Sequence, residues 1–226
     1  MSEVRHIEGL GIILSTVDSN DDKIVRVLME DDEVVPAIVK RGRRAGGKTS
    51  KVGMIQPLTA VRVGLRAKGH GDLALLQTVS VERAYAVVKS DLLRLALATC
   101  MSEVALHLCP DWGSEPGLYD LLVRALDRLE SAPHRPGVRP GDRPGEDWLL
   151  LFELKALTSA GVLPPLDELA EVPREGRETL AGWLAGKWQP LDPTSARVIG
   201  PLLERALTDA SGRAFRSRAL LAEALR

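Results

Sequence analysis

The chain has 226 residues, 45% apolar and 27% charged, with 30 Lys and Arg against 31 Asp and Glu. That near-neutral total excludes a uniformly basic or acidic protein, and the length suits two modest domains, each with its own core. Two cysteines, Cys100 and Cys109, are too few for a disulfide scaffold. The first residues lack the order of a signal peptide and no apolar run could cross a bilayer, so the expectation is a soluble cytoplasmic protein.

The first eighty residues read as strands. His6–Ser15 is apolar with a kink expected at Gly9-Leu10-Gly11, and Lys23–Met29 alternates Ile24, Val25, Val27 and Leu28 with charges. Glu33–Val39, Ile55–Leu65 and Leu73–Val81 follow. Five short β-branched segments separated by Asp, Asn and Gly turns predict a closed five-stranded Greek-key barrel of the oligonucleotide-binding (OB) type.

Charge is sorted along this barrel. Lys40, Arg41, Arg43, Arg44, Lys48 and Lys51 put six positive charges and no acid into the segment joining the third and fourth strands. Arg62, Arg66 and Lys68 extend the basic run, so that no Asp or Glu falls between Lys40 and Gly71, whereas Asp18, Asp21, Asp22 and Glu30 to Glu33 lie just upstream. Segregated positive charge is the footprint of a polyanion, because neutralising phosphates releases condensed counterions. A solvated basic loop with no partner has the same composition. No Phe, Tyr or Trp precedes Tyr85. Binding is therefore expected to rest on phosphate contacts, to ignore sequence, to weaken steeply with salt, and to differ little between single- and double-stranded DNA.

From Glu82 the periodicity becomes helical. Ser90-Asp91 caps a helix carrying Leu92, Leu95, Leu97, Met101, Val104 and Leu108, which Pro110 stops. Its wide apolar surface predicts a central, buried helix. Ser114-Glu115-Pro116 opens a second with Leu118, Leu121, Leu122, Ala125, Leu126 and Leu129 on one face. A third, Glu146–Ala160, ends at Gly161, and further helices are expected over Gly176–Lys187, over Ile199–Ala210 and at the carboxyl end. The fold class is thus α+β, with a barrel domain over 1–81 and an all-α domain over 82–226. Within the latter, a flexible Arg-Pro-Gly loop over 131–145 is either a neutral insertion or an auxiliary phosphate contact.

Gly42-x4-Gly47-Lys48-Thr49 matches the letters of a Walker phosphate loop, which would make the chain a nucleotide-hydrolysing enzyme. Such a loop needs a buried parallel strand before it and a helix amino terminus after it. Here Pro36 is expected to interrupt the preceding strand, and Val52-Gly53-Met54-Ile55-Gln56-Pro57 starts a helix poorly. The four histidines are scattered and no nucleophile or acid–base pair stands out, so no catalytic residue is assigned. Cys100, His107 and Cys109 offer metal-ligand types, but His107 and Cys109 are two apart on a helix and point to different sides. An RNA-binding barrel adaptor is the other alternative.

Several segments resemble, in order, the bacterial DNA repair and recombination mediator family RecO. They are Gly11-Ile12-Ile13-Leu14, Val39 to Arg44 followed by Ser50, Gln56-Pro57-Leu58, Leu118-Tyr119, Phe152 to Leu157 with Gly161-x-x-Pro164-x-Leu166, and Gly212-Arg213-Ala214-Phe215-Arg216-Ser217-Arg218. The resemblance implies an OB barrel followed by a helical domain. It implies a non-enzymatic protein that binds single- and double-stranded DNA, anneals complementary strands, and acts in the RecF pathway with RecR and the acidic tail of the single-stranded-DNA-binding protein SSB to place RecA on DNA. Its location would be cytoplasmic, at the nucleoid. Arg213, Arg216 and Arg218 then become a possible DNA or SSB-tail contact, or a cap on the last helix dipole. Many family members carry a four-cysteine zinc module after the Gly-x-x-Pro exit, whereas Asp167–Pro190 has no cysteine. Arg174–Trp188 is expected to be a metal-free helical replacement with Leu180, Trp183, Leu184 and Trp188 as its apolar face. No cofactor is assigned.

Overall fold

The computed structural model describes residues 4–19, 22–40, 51–68, 71–133, 144–163 and 165–226. Two compact units result, Met1–Tyr85 with Cys109–Val123, and Ala86–Leu108 with Arg124–Arg226. The segment after the first long helix thus belongs with the strands.

The first unit is built on β1 (Arg5–Ser19), β2 (Asp22–Met29), β3 (Val34–Lys40), β4 (Ala60–Ala67) and β5 (Ala74–Arg83), with a single helical turn, α1 (Lys51–Met54), between β3 and β4. The strands close into a barrel in the order β1-β2-β3-β5-β4, antiparallel except for β3 against β5. Period-two alternation sends Val61, Val63, Leu65 and Ala67 of β4 into the core with Ile7, Ile13, Val25, Val27, Val35 and Leu76. Each such Val, Ile or Leu side chain contributes about 1.5–3 kcal/mol on burial. Arg62, Gly64 and Arg66 alternate with them and face outward.

Three local expectations change. No break in the register with β4 falls at Gly9-Leu10-Gly11, since β1 pairs with β4 continuously from Arg5 to Ile12. The irregularity lies between Ile13 and Ser15, against β2. Gly11 instead permits close approach, since a Cβ there would stand 2.5 Å from Val27 Cγ1. Pro36 does not interrupt β3, which runs through it. Pro36 pairs with Arg26 of β2, and β5 joins only at Ala37, so the missing N–H falls where one neighbour is absent. Ile55 to Thr59 precede β4 as an irregular segment in which Ile55 and Leu58 are still buried core.

Segment Cys109–Val123 completes this unit. Trp112 N–H donates to Val34 O (2.7 Å) and Val34 N–H to Gly113 O (2.9 Å), while Arg26 holds Asp111 in a two-point pair at 2.7 and 3.0 Å. Asp32, in a left-handed turn (φ 69°), accepts from Gly117 N–H (2.7 Å) and Tyr119 N–H (2.8 Å). A side chain from the β2–β3 turn therefore caps the start of α4 (Leu118–Ser131), which accounts for the Leu118-Tyr119 helix start.

The second unit contains α2 (Ala86–Ser90), α3 (Leu92–Leu108), α5 (Glu146–Ser159), α6 (Arg174–Leu184), α7 (Pro193–Ser211) and α8 (Arg218–Ala224). Asp91 caps α3 through Arg94 N–H at 3.0 Å. Ala96, Leu97, Cys100, Met101, Val104 and Ala105 bury α3 on most sides, against α5, α7 and α8. α5 ends before Gly161, which has φ 65° as a left-handed cap requires. Helix α7 starts earlier than the apolar pattern indicates. Asp192 accepts from Thr194 and Ser195 N–H at 3.0 and 2.9 Å, and Pro193 occupies the first turn. Among the described residues no helix is long and apolar enough to cross a membrane.

Candidate nucleic-acid interface

Of the basic residues joining β3 to β4, Arg41, Arg43, Arg44 and Lys48 lie outside the described residues, as does the Walker-like motif, and the Lys51 side chain is likewise outside them. Lys40 is exposed at the end of β3, opposite Asp22 of β2. The approach to the Walker-like segment is unlike a phosphate loop's. Its strand, β3, is antiparallel to β2 along its length and parallel to β5 over two pairs, and the helix beyond, α1, has four residues.

Arg62, Arg66 and Lys68 all stand on the outer side of β4 or just beyond it, but in different electrostatic company. Arg62 Nε donates to Glu82 Oε1 at 3.2 Å. Glu8 and Glu30 line the same shallow cleft, of about 380 Å³, with Gly9, Thr78 and Ser80. Glu30 also accepts from Leu10 N–H at 3.1 Å, which fixes it at the cleft rim. Four residues further along, Arg66 is half-buried opposite His6 of β1 and Leu75 of β5, and Lys68 is exposed. Neither has a carboxylate partner among the described residues. One face of β4 thus runs from an end where Arg62 is bound by Glu82 to an end where Arg66 and Lys68 have no ion-pair partner among the described residues, with Asp72 in the turn that follows.

The carboxyl-terminal cluster separates in the same way. Arg213 and Arg216 are exposed, whereas Arg218 turns inward and pairs with Glu153, whose side chain is 0% exposed. This is a correction to grouping the three arginines as one contact surface, because the Arg218 charge is already matched inside the fold. Burial pushes the Glu153 carboxyl up to about 7, with Arg218 pulling it back. Around this pair Glu103 accepts from Arg216 N–H (3.0 Å), Ser217 N–H (2.8 Å) and the Ser217 hydroxyl (2.5 Å). Burial raises the Glu103 carboxyl, but the Ser217 and Arg216 hydrogen bonds outweigh it and hold the group below its ordinary value. His107 stacks on Phe215 with centroids 4.1 Å apart, and its Nδ1 meets Ser211 Oγ at 2.8 Å. Gly212 (φ 65°) ends α7 and turns the chain into this arrangement. The Gly-Arg-x-Phe-Arg-Ser-Arg motif is therefore largely a clasp for α8.

In the region without cysteines, α6 is held by aromatic packing. Trp183 and Trp188 stack at 5.1 Å and 8°, and the Arg128 guanidinium lies 4.1 Å from the Trp148 ring and 5.0 Å from that of Trp188. Trp183 Nε1–H donates to Gln189 O at 2.8 Å. Leu180 and Trp183 are buried as expected, but Leu184 is 37% exposed and does not belong to the packed face. Among the described residues no group of three His, Cys, Asp or Glu could hold a metal ion. Burial raises the Cys100 and Cys109 thiols to about 11, so both are packing groups at neutral pH.

A family model described as "Recombination protein O C terminal" matches residues 89–191. The DNA repair protein RecO of Anaeromyxobacter dehalogenans is 35% identical over 161 residues, 71% of this chain and 59% of the relative. That of Myxococcus xanthus is 27% identical over 157 residues (69% and 59%), and that of a Synechococcus species 30% over 137 residues (61% and 48%). The matched part of the chain thus spans less than two thirds of each of these relatives. Over these residues the chain is similar to the RecO family.

Proposed function

We propose that the chain is a DNA repair and recombination mediator whose first unit is an OB-fold barrel that binds single- and double-stranded DNA. The observation that carries this reading is a closed barrel of order β1-β2-β3-β5-β4 with six cations concentrated between β3 and the end of α1, in a chain similar to the RecO family. Lys40, Arg41, Arg43, Arg44, Lys48 and Lys51 form the principal phosphate contact, extended by Arg66 and Lys68. Arg62 contributes less because Glu82 competes for it.

The mechanism is electrostatic and needs no bond to be made. Two strands repel through their phosphates; a cationic surface that holds both lowers the repulsion and lets base pairing nucleate. Annealing then proceeds without nucleotide hydrolysis. Arg213 and Arg216 supply a second cationic surface suited to DNA or to the acidic SSB tail, and the protein acts with RecR to place RecA on SSB-coated DNA in the cytoplasm, at the nucleoid. The test is annealing of SSB-coated complementary oligonucleotides with no nucleotide present. Acceleration over the protein-free rate supports the reading; a strict ATP requirement, or no acceleration, refutes it.

A further inference from the structure

The strands of the barrel carry no Phe, Tyr or Trp, yet they do carry an imidazole, and its position is informative. His6 on β1 is directly opposite Arg66 on β4, so both side chains leave the same side of the sheet with Cβ atoms about 5 Å apart. Neighbouring Ile7 and Leu65 turn inward to the core, which fixes the outward direction of the pair. His6 is exposed, Arg66 half-buried and Lys68 exposed two residues on, about 7 Å along the strand. The same face turns acidic from Gly64 on, with Glu8 opposite Gly64 itself, and Glu30 and the Glu82-bound Arg62 beyond it.

We propose that a single DNA strand crosses the barrel over His6, Arg66 and Lys68, with Arg66 and Lys68 on successive phosphates and the His6 ring stacked on a base, and that the Arg62 end of this face is closed to it. The inference rests on the DNA-binding reading and adds a residue and a direction to it. Complementarity of charge selects the occupant. A polyanion gains two cations that have no ion-pair partner among the described residues at one end, and meets three carboxylates at the other. Stacking on an imidazole tolerates any base, because every base has a π-face. With His6 flanked by cations, the barrel can grip bases without the aromatic platforms common in single-strand binders.

Fluorescence anisotropy of the full chain with a labelled oligothymidylate, and with the same strand made abasic, tests this. The expected pattern is weaker binding of the abasic strand by wild type, about fivefold loss for His6→Ala with the base preference abolished, and retention by His6→Phe. Arg66→Ala should weaken binding about fivefold and lower the salt slope by about one, whereas Arg62→Ala should change affinity less than about twofold. Wild-type affinity in His6→Ala and Arg66→Ala, with wild type still binding, would overturn the inference alone. Failure of wild type to bind either strand would overturn it together with the proposed function.

Discussion

Arg218 in the last helix and Glu153 in the middle of α5 form an ion pair across 65 positions of sequence, and Glu153 exposes none of its side chain. A carboxylate so placed is stable only with its counter-charge, because removing one partner leaves the other desolvated and unmatched. The pair is what commits Arg218 to the fold and separates it from its exposed neighbours Arg213 and Arg216.

Arg218→Ala should therefore destabilise the chain by about 3–5 kcal/mol, read from chemical denaturation, while the double change Glu153→Met with Arg218→Met recovers most of that loss. Arg213→Ala and Arg216→Ala should each leave the denaturation midpoint nearly unmoved. A surface role for Arg218 predicts the reverse: little loss of stability and no rescue by the double substitution.

The Glu103 carboxylate accepts hydrogen bonds from Arg216 and Ser217 and is held below its ordinary 4.5. A carboxyl depressed on folding adds stability above its unfolded value and loses it as pH falls through the lower folded value. Melting temperature measured from pH 7 towards pH 3 should fall more steeply for wild type than for Glu103→Gln. At pH 7 the variant should already be less stable by about 1–3 kcal/mol, since hydrogen bonds to a charge are replaced by bonds to an amide.

Asp32 combines a left-handed backbone with the cap of α4. Asp32→Asn keeps the tolerance for positive φ and one acceptor, and should cost less than about 1 kcal/mol. Asp32→Ala loses both and should cost about 2 kcal/mol, measured by urea denaturation.

These relationships also mark what the sequence could and could not disclose. The apolar alternation in β2 and β4, and the apolar surround of α3, were legible because burial imposes a local period. The left-handed Gly161 was legible for the same local reason. Asp32 capping a helix 85 residues away, Arg26 gripping Asp111, and Arg94 donating to Leu129 O and Ala132 O at 2.9 Å were not, because a long-range polar pair leaves no periodic trace. The same limit applies to the candidate interface. The sequence grouped Arg62 with Arg66 by spacing and sign, and only the folded barrel bonds Arg62 to Glu82 beside the Glu8–Glu30 cleft and sets His6 opposite Arg66.

The Trp183–Trp188 stack and the Arg128 guanidinium against Trp148 and Trp188 hold α6 in the region without cysteines. A chelator should leave the melting temperature unchanged, and Trp188→Ala should lower stability by about 2–4 kcal/mol. A stoichiometric metal whose removal melts the helical unit would contradict this.

The central claim is that the cationic segment after β3 cradles the sugar–phosphate backbone. Its most direct test is the salt dependence of DNA affinity for wild type and for the double charge reversal Arg43→Glu with Arg44→Glu. The account predicts a steep wild-type slope, and for the variant a slope shallower by about two, slower annealing, and weaker binding of both single- and double-stranded DNA. Unchanged affinity and slope in a folded double variant would contradict it.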